Sequence, residues 1–243
     1  MCQLKSCLIL KDRVFCPDYD SHQQMLKKLG IEDNYLHASK TFVRVELLPP
    51  NTNIKSLIEP LDRWTLRVDQ DITPEWWDEK ADRHRVEEAV EVWRVGHIFT
   101  EGKHIVTAGE VYAFGNAIVE ASSNATVEAY GNATVKACDS AKVTAFGNAT
   151  VIACNSATVT AYNSAKVEAW GSATVEAYDS ATVEIYNNVT AEAYDNAKVS
   201  AYYSTRVEAW NGATVKAYDN AIAIYPEQRK AIYPIGWTVE THE

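Results

Sequence analysis

Residues 173–188 read ATVEAYDS and then ATVEIYNN, which are two copies of one eight-residue pattern. In each copy small apolar residues alternate with Thr and Glu, an aromatic residue follows, and two small polar residues end the octad. Alternation with a period of two is typical of a strand that buries one face. Asp, Asn, Gly and Ser tolerate left-handed backbone and are typical of tight turns. One octad therefore predicts one short strand and one corner.

The octad recurs without interruption over residues 109–220, which makes fourteen copies. Its consensus, numbered here as positions 1 to 8, is Ala, Thr or Lys, Val, a variable residue, Ala, an aromatic, a turn residue, and usually Asn or Ser. A strand this short cannot bury its apolar face alone, whereas stacked copies bury a continuous core. The pattern predicts a mainly β protein whose repeat region is a β-solenoid.

Two columns of unusual residues indicate how many octads make one coil. Glycine occupies position 7 at Gly115, Gly131 and Gly147, and cysteine replaces the aromatic at Cys138 and Cys154. Both series advance by sixteen residues. The sequence therefore favours a two-sided coil of about 16 residues, repeated about seven times. A triangular coil of 24 residues is the alternative.

The aromatic residues at position 6 form two columns with sixteen-residue spacing. With positions 1, 3 and 5 turned inwards, we expect positions 2, 4 and 6 to point outwards and the rings to stack. Stacked rings stabilise a sheet, but an exposed aromatic column is also typical of a docking surface. The candidate interaction face combines the unbroken column with glutamates of the same octads: Phe114, Tyr130, Phe146, Tyr162, Tyr178, Tyr194, Trp210, Glu128, Glu176, Glu192 and Glu208.

The charge of the chain limits the partners that it can bind. Its net charge is −10 and its pI about 5.1, which argues against a nucleic-acid or anionic-membrane binder. The octads of the unbroken column carry seven carboxylates and two cations, a net charge of −5, whereas the other octads carry five and four, a net charge of −1. These carboxylates either keep the solenoid soluble or bind a basic groove on a partner.

The segment before the octads, residues 1–95, has the mixed pattern of a small α+β unit. Strands are predicted in CLILKDRVF, FVRVELLPP and WTLRVDQD, which cover residues 7–15, 42–50 and 64–71. The first of these includes a turn at Lys11.

Two helices are predicted between and after these strands. The first covers residues 22–29, because Ser21 is a favourable N-cap and Gly30 a favourable end. The second is predicted to start with Thr73 as its N-cap and Pro74 in its first turn.

The domain organisation follows from the need of an open solenoid for covered ends. We expect residues 1–95 to be an N-terminal cap and 96–108 a connecting segment. Residues 109–220 form the solenoid and 221–243 a C-terminal cap, whose aromatic residues are Tyr225, Tyr233 and Trp237.

The N-terminal segment holds the residues that would carry chemistry, if any did. Four carboxylates around a strand-to-helix junction have the composition of an acid–base or metal site, but the same residues are ordinary at a strand end and a helix start. Cysteines and histidines are also present, at spacings that match no zinc motif. We predict no catalytic residue, metal site, cofactor or small-molecule ligand. The residues concerned are Asp69, Asp71, Glu75 and Asp78, and Cys2, Cys7, Cys16, His22 and His37.

Five cysteines without framework spacing predict reduced thiols. No apolar run has the length of a signal peptide or a membrane span. We therefore expect a cytoplasmic protein.

The head motifs followed by tandem octads resemble an uncharacterised family of bacteriophages, prophages and gut bacteria, over nearly the whole chain. In that family a short α+β head precedes an octapeptide solenoid of variable length. The motifs that carry the resemblance are CLILKDRVF, FVRVELLPP and WTLRVDQDITPEWWDE. The resemblance implies a phage-associated setting, so that the expected cytoplasm is that of a bacterial or phage-infected cell. It brings no activity, catalytic residue or cofactor.

We expect a non-enzymatic interaction protein whose partner is another protein or a second copy of itself, as a homodimer. No phosphate loop, dinucleotide fingerprint or hydrolase motif is present. One alternative is a phage-encoded decoy that inhibits a basic host defence or nucleic-acid-binding protein. Another is a carbohydrate-binding or ice-binding β-helix, since aromatic platforms suit sugars and Thr columns suit ice. Charged residues at position 4 interrupt those Thr surfaces.

Overall fold

The computed structural model describes residues 5–226 and the backbone of 230–232. The chain divides into two compact units at Ile98 and Phe99, and each is described by itself. Cys2, Tyr233 and Trp237 lie outside the described residues.

The first unit contains a four-stranded antiparallel sheet with the strand order β2-β1-β3-β4. Strands β1 and β2 form the hairpin predicted around Lys11, and the other two strands also lie where the alternating sequence places them. Helix α1 packs against this sheet through Met25 and Leu26, in a cluster with Leu8 and Phe42. The strands are β1 (Lys5–Leu10), β2 (Val14–Phe15), β3 (Phe42–Leu48) and β4 (Thr65–Val68).

One helix of this unit lies where the sequence predicts it, and three short helices were not predicted. Helix α1 (His22–Leu29) has Ser21 as its N-cap, and Gly30 follows it in left-handed backbone, as predicted. A short helix α2 (Tyr35–Ala38) and 3₁₀ helices at Ile54–Ile58 and Leu61–Arg63 were not expected.

The predicted start of the last helix at Thr73 is wrong. Helix α3 (Glu79–His97) begins five residues after Pro74, with Asp78 as its N-cap. The Asp78 carboxylate accepts hydrogen bonds from the amides of Lys80 at 2.9 Å and Ala81 at 3.0 Å. The preceding residues form a separate turn, because the Trp77 amide donates to the Pro74 carbonyl.

The second unit is a β-solenoid, as the octads predict. Its strands are short and follow one another at eight-residue intervals through most of the unit. They are β5 (Ile98–Phe99), β6 (Lys103–Ala113), β7 (Ile118–Ala129), β8 (Thr134–Ala137), β9 (Lys142–Ala145), β10 (Thr150–Ala153), β11 (Thr158–Ala161), β12 (Lys166–Ala169), β13 (Thr174–Ala177), β14 (Thr182–Ile185), β15 (Thr190–Ala193), β16 (Lys198–Ala201), β17 (Arg206–Ala209), β18 (Thr214–Ala217), β19 (Ile222–Tyr225) and β20 (Lys230–Ile232).

Parallel pairing between every second strand sets the coil at sixteen residues. Val159 pairs with Val175, for example, and Val151 with Val167, each in register and sixteen residues apart. The 24-residue alternative is therefore wrong. Strands β8, β10, β12, β14, β16 and β18 with residues 118–121 form the "even sheet". Strands β9, β11, β13, β15, β17 and β19 with residues 126–129 form the "odd sheet".

The solenoid has about eight turns, whereas the octads alone account for seven. Residues 103–106 form the first part of β6 and pair with the start of β7, although they lack the octad consensus. Strand β19 likewise continues the odd sheet after the last octad, and β20 then pairs with it in the antiparallel direction. Pairing with a neighbouring coil is thus enough to extend the solenoid where the consensus has ended.

The core consists of the Ala and Val side chains at positions 1, 3 and 5. Nearly all of them are buried and belong to one continuous cluster. Ala173, Val175 and Ala177, in the stretch quoted first, are 0% exposed. Such small side chains allow the two sheets to lie close together, so the core has little capacity for larger residues.

The corners place position 7 in left-handed backbone in all fourteen octads, with φ between 54° and 76°. Amides at the corner also bond to the coil before it: that of Tyr178 donates to Ala161 O at 2.9 Å, and that of Ser180 to Asn163 O at 2.9 Å. The Asp179 carboxylate accepts from the Asn163 amide at 2.9 Å. The corners therefore hold successive coils together as the strands do.

Among the glycines at position 7, Gly115 has the least room for a side chain. A Cβ added there would lie 2.7 Å from the Thr100 carbonyl oxygen, whereas one added at Gly131 would meet nothing nearer than 3.7 Å. Both residues have positive φ. We expect Gly115→Ala to lower the midpoint of urea unfolding clearly more than Gly131→Ala, because only the first adds a steric clash to the backbone strain. Equal midpoints for the two variants would contradict this account.

Ile185 and Val189 are larger than the consensus Ala, while Ala191 is smaller than the consensus Val. All three lie in the core cluster, with exposed fractions of 0%, 0% and 4%. We expect Ala191→Val alone to overpack this coil and to destabilise it by ~1–3 kcal/mol. The triple change Ile185→Ala, Val189→Ala and Ala191→Val should recover most of that loss, and chemical unfolding of both variants measures the difference. A triple variant as unstable as the single one would show that the three residues are not packed together.

Candidate interaction face of the solenoid

The odd sheet presents positions 2 and 4 of its octads to solvent. Its strands show the burial pattern expected of a sheet with one buried face, for example at β13 and β15. Glutamate occupies position 4 in three successive coils, at Glu176, Glu192 and Glu208. Three of the four glutamates predicted for the face therefore form one row in adjacent coils. Glu128 lies in the same column, but Thr144 and Thr160 separate it from Glu176.

The unbroken aromatic column lies at the corner beside this row. Its rings are stacked in parallel, and neighbouring ring centroids are 4.8 to 5.1 Å apart from Phe114 to Tyr194. The rings cover one another, so most of them are half-buried, and Phe114 is only 4% exposed. The predicted stacking of position 6 into an aromatic column is confirmed.

Trp210 ends the column with a looser contact. Its ring centroid is 6.5 Å from that of Tyr194. Its indole Nε1 is buried and has no hydrogen-bond partner among the described residues.

Tyrosine and glutamate of the same octad are joined by hydrogen bonds, which the sequence analysis missed. Position 6 follows position 4 by two residues, and the tyrosine hydroxyl reaches the carboxylate. Tyr178 donates to Glu176 at 3.2 Å, and Tyr130 and Tyr194 donate to the glutamates two residues before them. The i, i+2 recurrence of Glu and Tyr is the sequence signal that could have revealed these bonds.

These contacts favour the neutral phenol and so raise the tyrosine pKa. The hydrogen bond to Glu192, together with burial, raises the pKa of Tyr194 to about 12. Burial first, and then the neighbouring glutamate, raises the pKa of Tyr130 and of Tyr178 above the ordinary value. The hydroxyls consequently stay protonated and keep donating to the carboxylates at any physiological pH.

A shallow depression of about 190 Å³ runs along the glutamate row. Glu176 pairs in register with Glu192, and Glu192 with Glu208, so the carboxylates are about one strand spacing apart, ~4.8 Å. Arg206 lies beside them and contacts Glu208 at 2.7 Å. The remaining negative charge makes the depression a favourable place for a cationic side chain.

The even sheet carries the second column, in which Trp170, Tyr186, Tyr202 and Tyr218 stack in the same way. The two cysteines that precede them in this column form a disulfide, with a Cα–Cα distance of 4.7 Å. The prediction of reduced thiols is thus wrong for Cys138 and Cys154. Because the coils stack in register, two cysteines that are sixteen residues apart in the column lie within disulfide distance.

The carboxylates considered for chemistry in the first unit are not gathered into one site. Asp78 caps helix α3, while Asp69 and Asp71 line an open cavity of about 610 Å³. The ligand atoms of His22, Glu46 and Asp69 lie within 4.8 Å of one another. Each of these three already has a protein partner.

Those partners account for the geometry of the cluster without a metal ion. His22 contacts Asp69 through Nδ1 at 3.0 Å and the Val45 carbonyl through Nε2 at 3.1 Å. Glu46 forms an ion pair with Arg67.

No family model, curated protein or solved structure matches the chain. Among the residues that the structure describes, no helix is both long and apolar enough to cross a membrane.

The pKa of Tyr194 can be used to test its hydrogen bond to Glu192. Its pKa is raised from 10 to about 12 by the hydrogen bond to Glu192. We expect Glu192→Gln to bring the pKa back towards 10, because a neutral amide favours the phenol over the phenolate much less. The measurement is the absorbance of tyrosinate between pH 9 and 13, as the difference from a Tyr194→Phe chain. Glu208→Gln is the control, since the aromatic of its octad is Trp210, which does not titrate.

The raised pKa also predicts how stability depends on pH. The folded state keeps the Tyr194 proton where the unfolded state has lost it, so this contribution is complete below pH 10 and is lost as the pH rises through 12. A stability loss of equal size in Tyr194→Phe and in the unaltered chain over this pH range would contradict the assignment.

Proposed function

We propose that this chain is a non-enzymatic interaction protein whose odd sheet binds a basic protein partner. The observation that carries the proposal is the in-register row of Glu176, Glu192 and Glu208, which lines a depression beside the stacked tyrosines. The partner would supply Lys or Arg side chains to this row.

The rigidity of the solenoid supports a binding role. Strand pairs and corner bonds fix each coil on the one before it, so the spacing of the glutamates is set before any partner arrives. Tyr178 and Tyr194 fix two of the carboxylates further through their hydroxyls. A surface that is already ordered loses little entropy on binding.

Charge favours a basic partner over a second copy at this face. Two copies that faced each other through the octads of the unbroken column would each bring a net charge of −5, and like charges across an interface are costly. The same acidity disfavours nucleic acid. A decoy that inhibits a basic host protein is a more specific form of this proposal and would use the same glutamates.

The stacking geometry gives the carbohydrate alternative little support. A sugar binds to the open face of an aromatic ring, whereas each inner ring of the column has a neighbour on both faces at about 5 Å. The ice-binding alternative needs an uninterrupted Thr surface, and the glutamates at position 4 interrupt it. Neither alternative explains why the acidic octads lie on one sheet.

The experiment compares two triple variants that remove the same number of charges from opposite sheets. Glu176→Gln, Glu192→Gln and Glu208→Gln alter the odd sheet, and Glu120→Gln, Glu168→Gln and Glu184→Gln alter the even sheet. The probe is a fluorescent oligoarginine peptide, with a glycine–serine peptide of equal length as a control. Binding is followed by anisotropy at low and at ~0.15 M salt.

We expect the odd-sheet variant to bind the peptide about 10-fold more weakly, because three exposed ion pairs of ~0.5 kcal/mol each are lost. The even-sheet variant should change much less. Equal weakening in both variants would show attraction to net charge alone and would refute the proposed face. A dimer by light scattering that dissociates in Tyr162→Arg with Tyr178→Arg would assign the column to self-association instead.

A further inference from the structure

Two cysteines of the first unit, Cys7 and Cys16, lie opposite each other on the β1–β2 hairpin. Leu8 pairs with Phe15 and Ile9 with Val14, so the same register places Cys7 across from Cys16. Neither belongs to the disulfide of the solenoid, and both are free thiols.

The hydrogen-bond pattern of the hairpin brings these two side chains close together. The Leu10 amide donates to the Arg13 carbonyl at 2.8 Å, which makes Leu10 and Arg13 a hydrogen-bonded pair. Counting back along the antiparallel register, Cys7 and Cys16 form a non-hydrogen-bonded pair, in which Cα atoms are about 4.5 Å apart and side chains are closest. That separation is within the range for a disulfide. The two thiols already share a hydrogen bond.

A buried cation lies next to the thiols. Lys5 is 1% exposed, its ammonium contacts the Asp20 carboxylate at 3.0 Å, and it lies 4.7 Å from the centroid of the Trp93 ring. Lysine is seldom buried so completely in a protein. Its charge acts on both sulfur atoms, against the weaker opposing effect of Asp20.

The two thiols differ in exposure and in acidity. Cys7 is 0% exposed, whereas Cys16 is only partly buried. The hydrogen bond from Cys7, supported by Lys5, lowers the pKa of the Cys16 thiol. The same hydrogen bond, together with burial, raises the pKa of Cys7. Cys16 is therefore the more easily deprotonated and more nucleophilic thiol, and Cys7 stays protonated.

We propose that Cys16 and Cys7 form a peroxide-reactive dithiol, in which Cys16 is the attacking sulfur and Cys7 the resolving one. The modification site lies in the first unit and does not depend on the proposed interaction face.

Each step of the reaction balances. The Cys16 thiolate attacks one oxygen of a hydroperoxide, so that an S–O bond forms, the O–O bond breaks and an alkoxide or hydroxide leaves. Sulfur loses two electrons to the peroxide and becomes a sulfenic acid. The Cys7 sulfur then attacks the Cys16 sulfur, the S–S bond forms, and the hydroxyl leaves as water with the Cys7 proton. A dithiol reductant returns the pair to thiols.

The test exposes the folded full-length chain to hydrogen peroxide, alkylates free thiols, and digests the chain with trypsin for mass spectrometry. The three N-terminal cysteines fall on different peptides, residues 1–5, 6–11 and 14–27. We expect peptides 6–11 and 14–27 to appear joined, two hydrogen atoms lighter than their sum. Peptide 1–5 should remain alkylated.

Single variants separate the two roles. In Cys7→Ser, a sulfenic acid should persist on Cys16 and be trapped by dimedone. In Cys16→Ser, Cys7 should stay a thiol because peroxide does not reach it. Lys5→Gln should slow oxidation of Cys16 several-fold, while Lys5→Arg, which keeps the charge, should slow it less. Circular dichroism checks that each variant is folded.

A chain with Cys138→Ser and Cys154→Ser is the matched control and should react at the unaltered rate. Alkylation of both Cys7 and Cys16 after peroxide treatment would overturn the proposal. So would oxidation of Cys7 in the Cys16→Ser variant, or a linkage that forms only in urea.

Discussion

In-register hydrogen bonding between coils is the constraint on which the solenoid depends. From β7 to β19 each strand pairs with one sixteen residues away, and the corner amides bond to the same earlier coil. This pairing fixes the coil length, so every position of the octad becomes a straight column. The Ala–Val core, the left-handed corners and the stacked rings are consequences of this arrangement. Residues 103–106 and β19 show its strength, since they join the solenoid without the consensus sequence.

Columns of identical residues bring both stability and electrostatic cost. Stacked rings and a disulfide gain from close repetition, whereas glutamates at one strand spacing repel one another. Tyrosine hydroxyls on Glu176 and Glu192, and Arg206 on Glu208, offset part of that repulsion. What remains is a negative row held at fixed spacing, which is the basis for proposing a basic partner. The proposed dithiol lies outside these columns, on the β1–β2 hairpin of the first unit.

Much of this fold could be predicted because residues that recur at fixed intervals in the octads reveal the length of the coil. The sixteen-residue step of Gly115, Gly131 and Gly147, and the cap of helix α1 at Ser21, were read correctly from local sequence. The start of α3 was not, since Thr73 and Asp78 are both good N-caps and only packing decides between them. The Tyr–Glu bonds and the Cys138–Cys154 disulfide also need particular side-chain rotamers, which a residue pattern does not specify. Cys7 and Cys16 meet only because of the hairpin register.

The two-sided coil also governs how such a chain can change in length during evolution. Insertion or loss of sixteen residues adds or removes one coil and leaves both columns where they were. A change of eight residues, although it is one whole octad, would move every later octad to the opposite sheet. The acidic row would then end partway along one side and continue on the other. Selection for a continuous surface would therefore favour insertions and deletions of two octads over those of one.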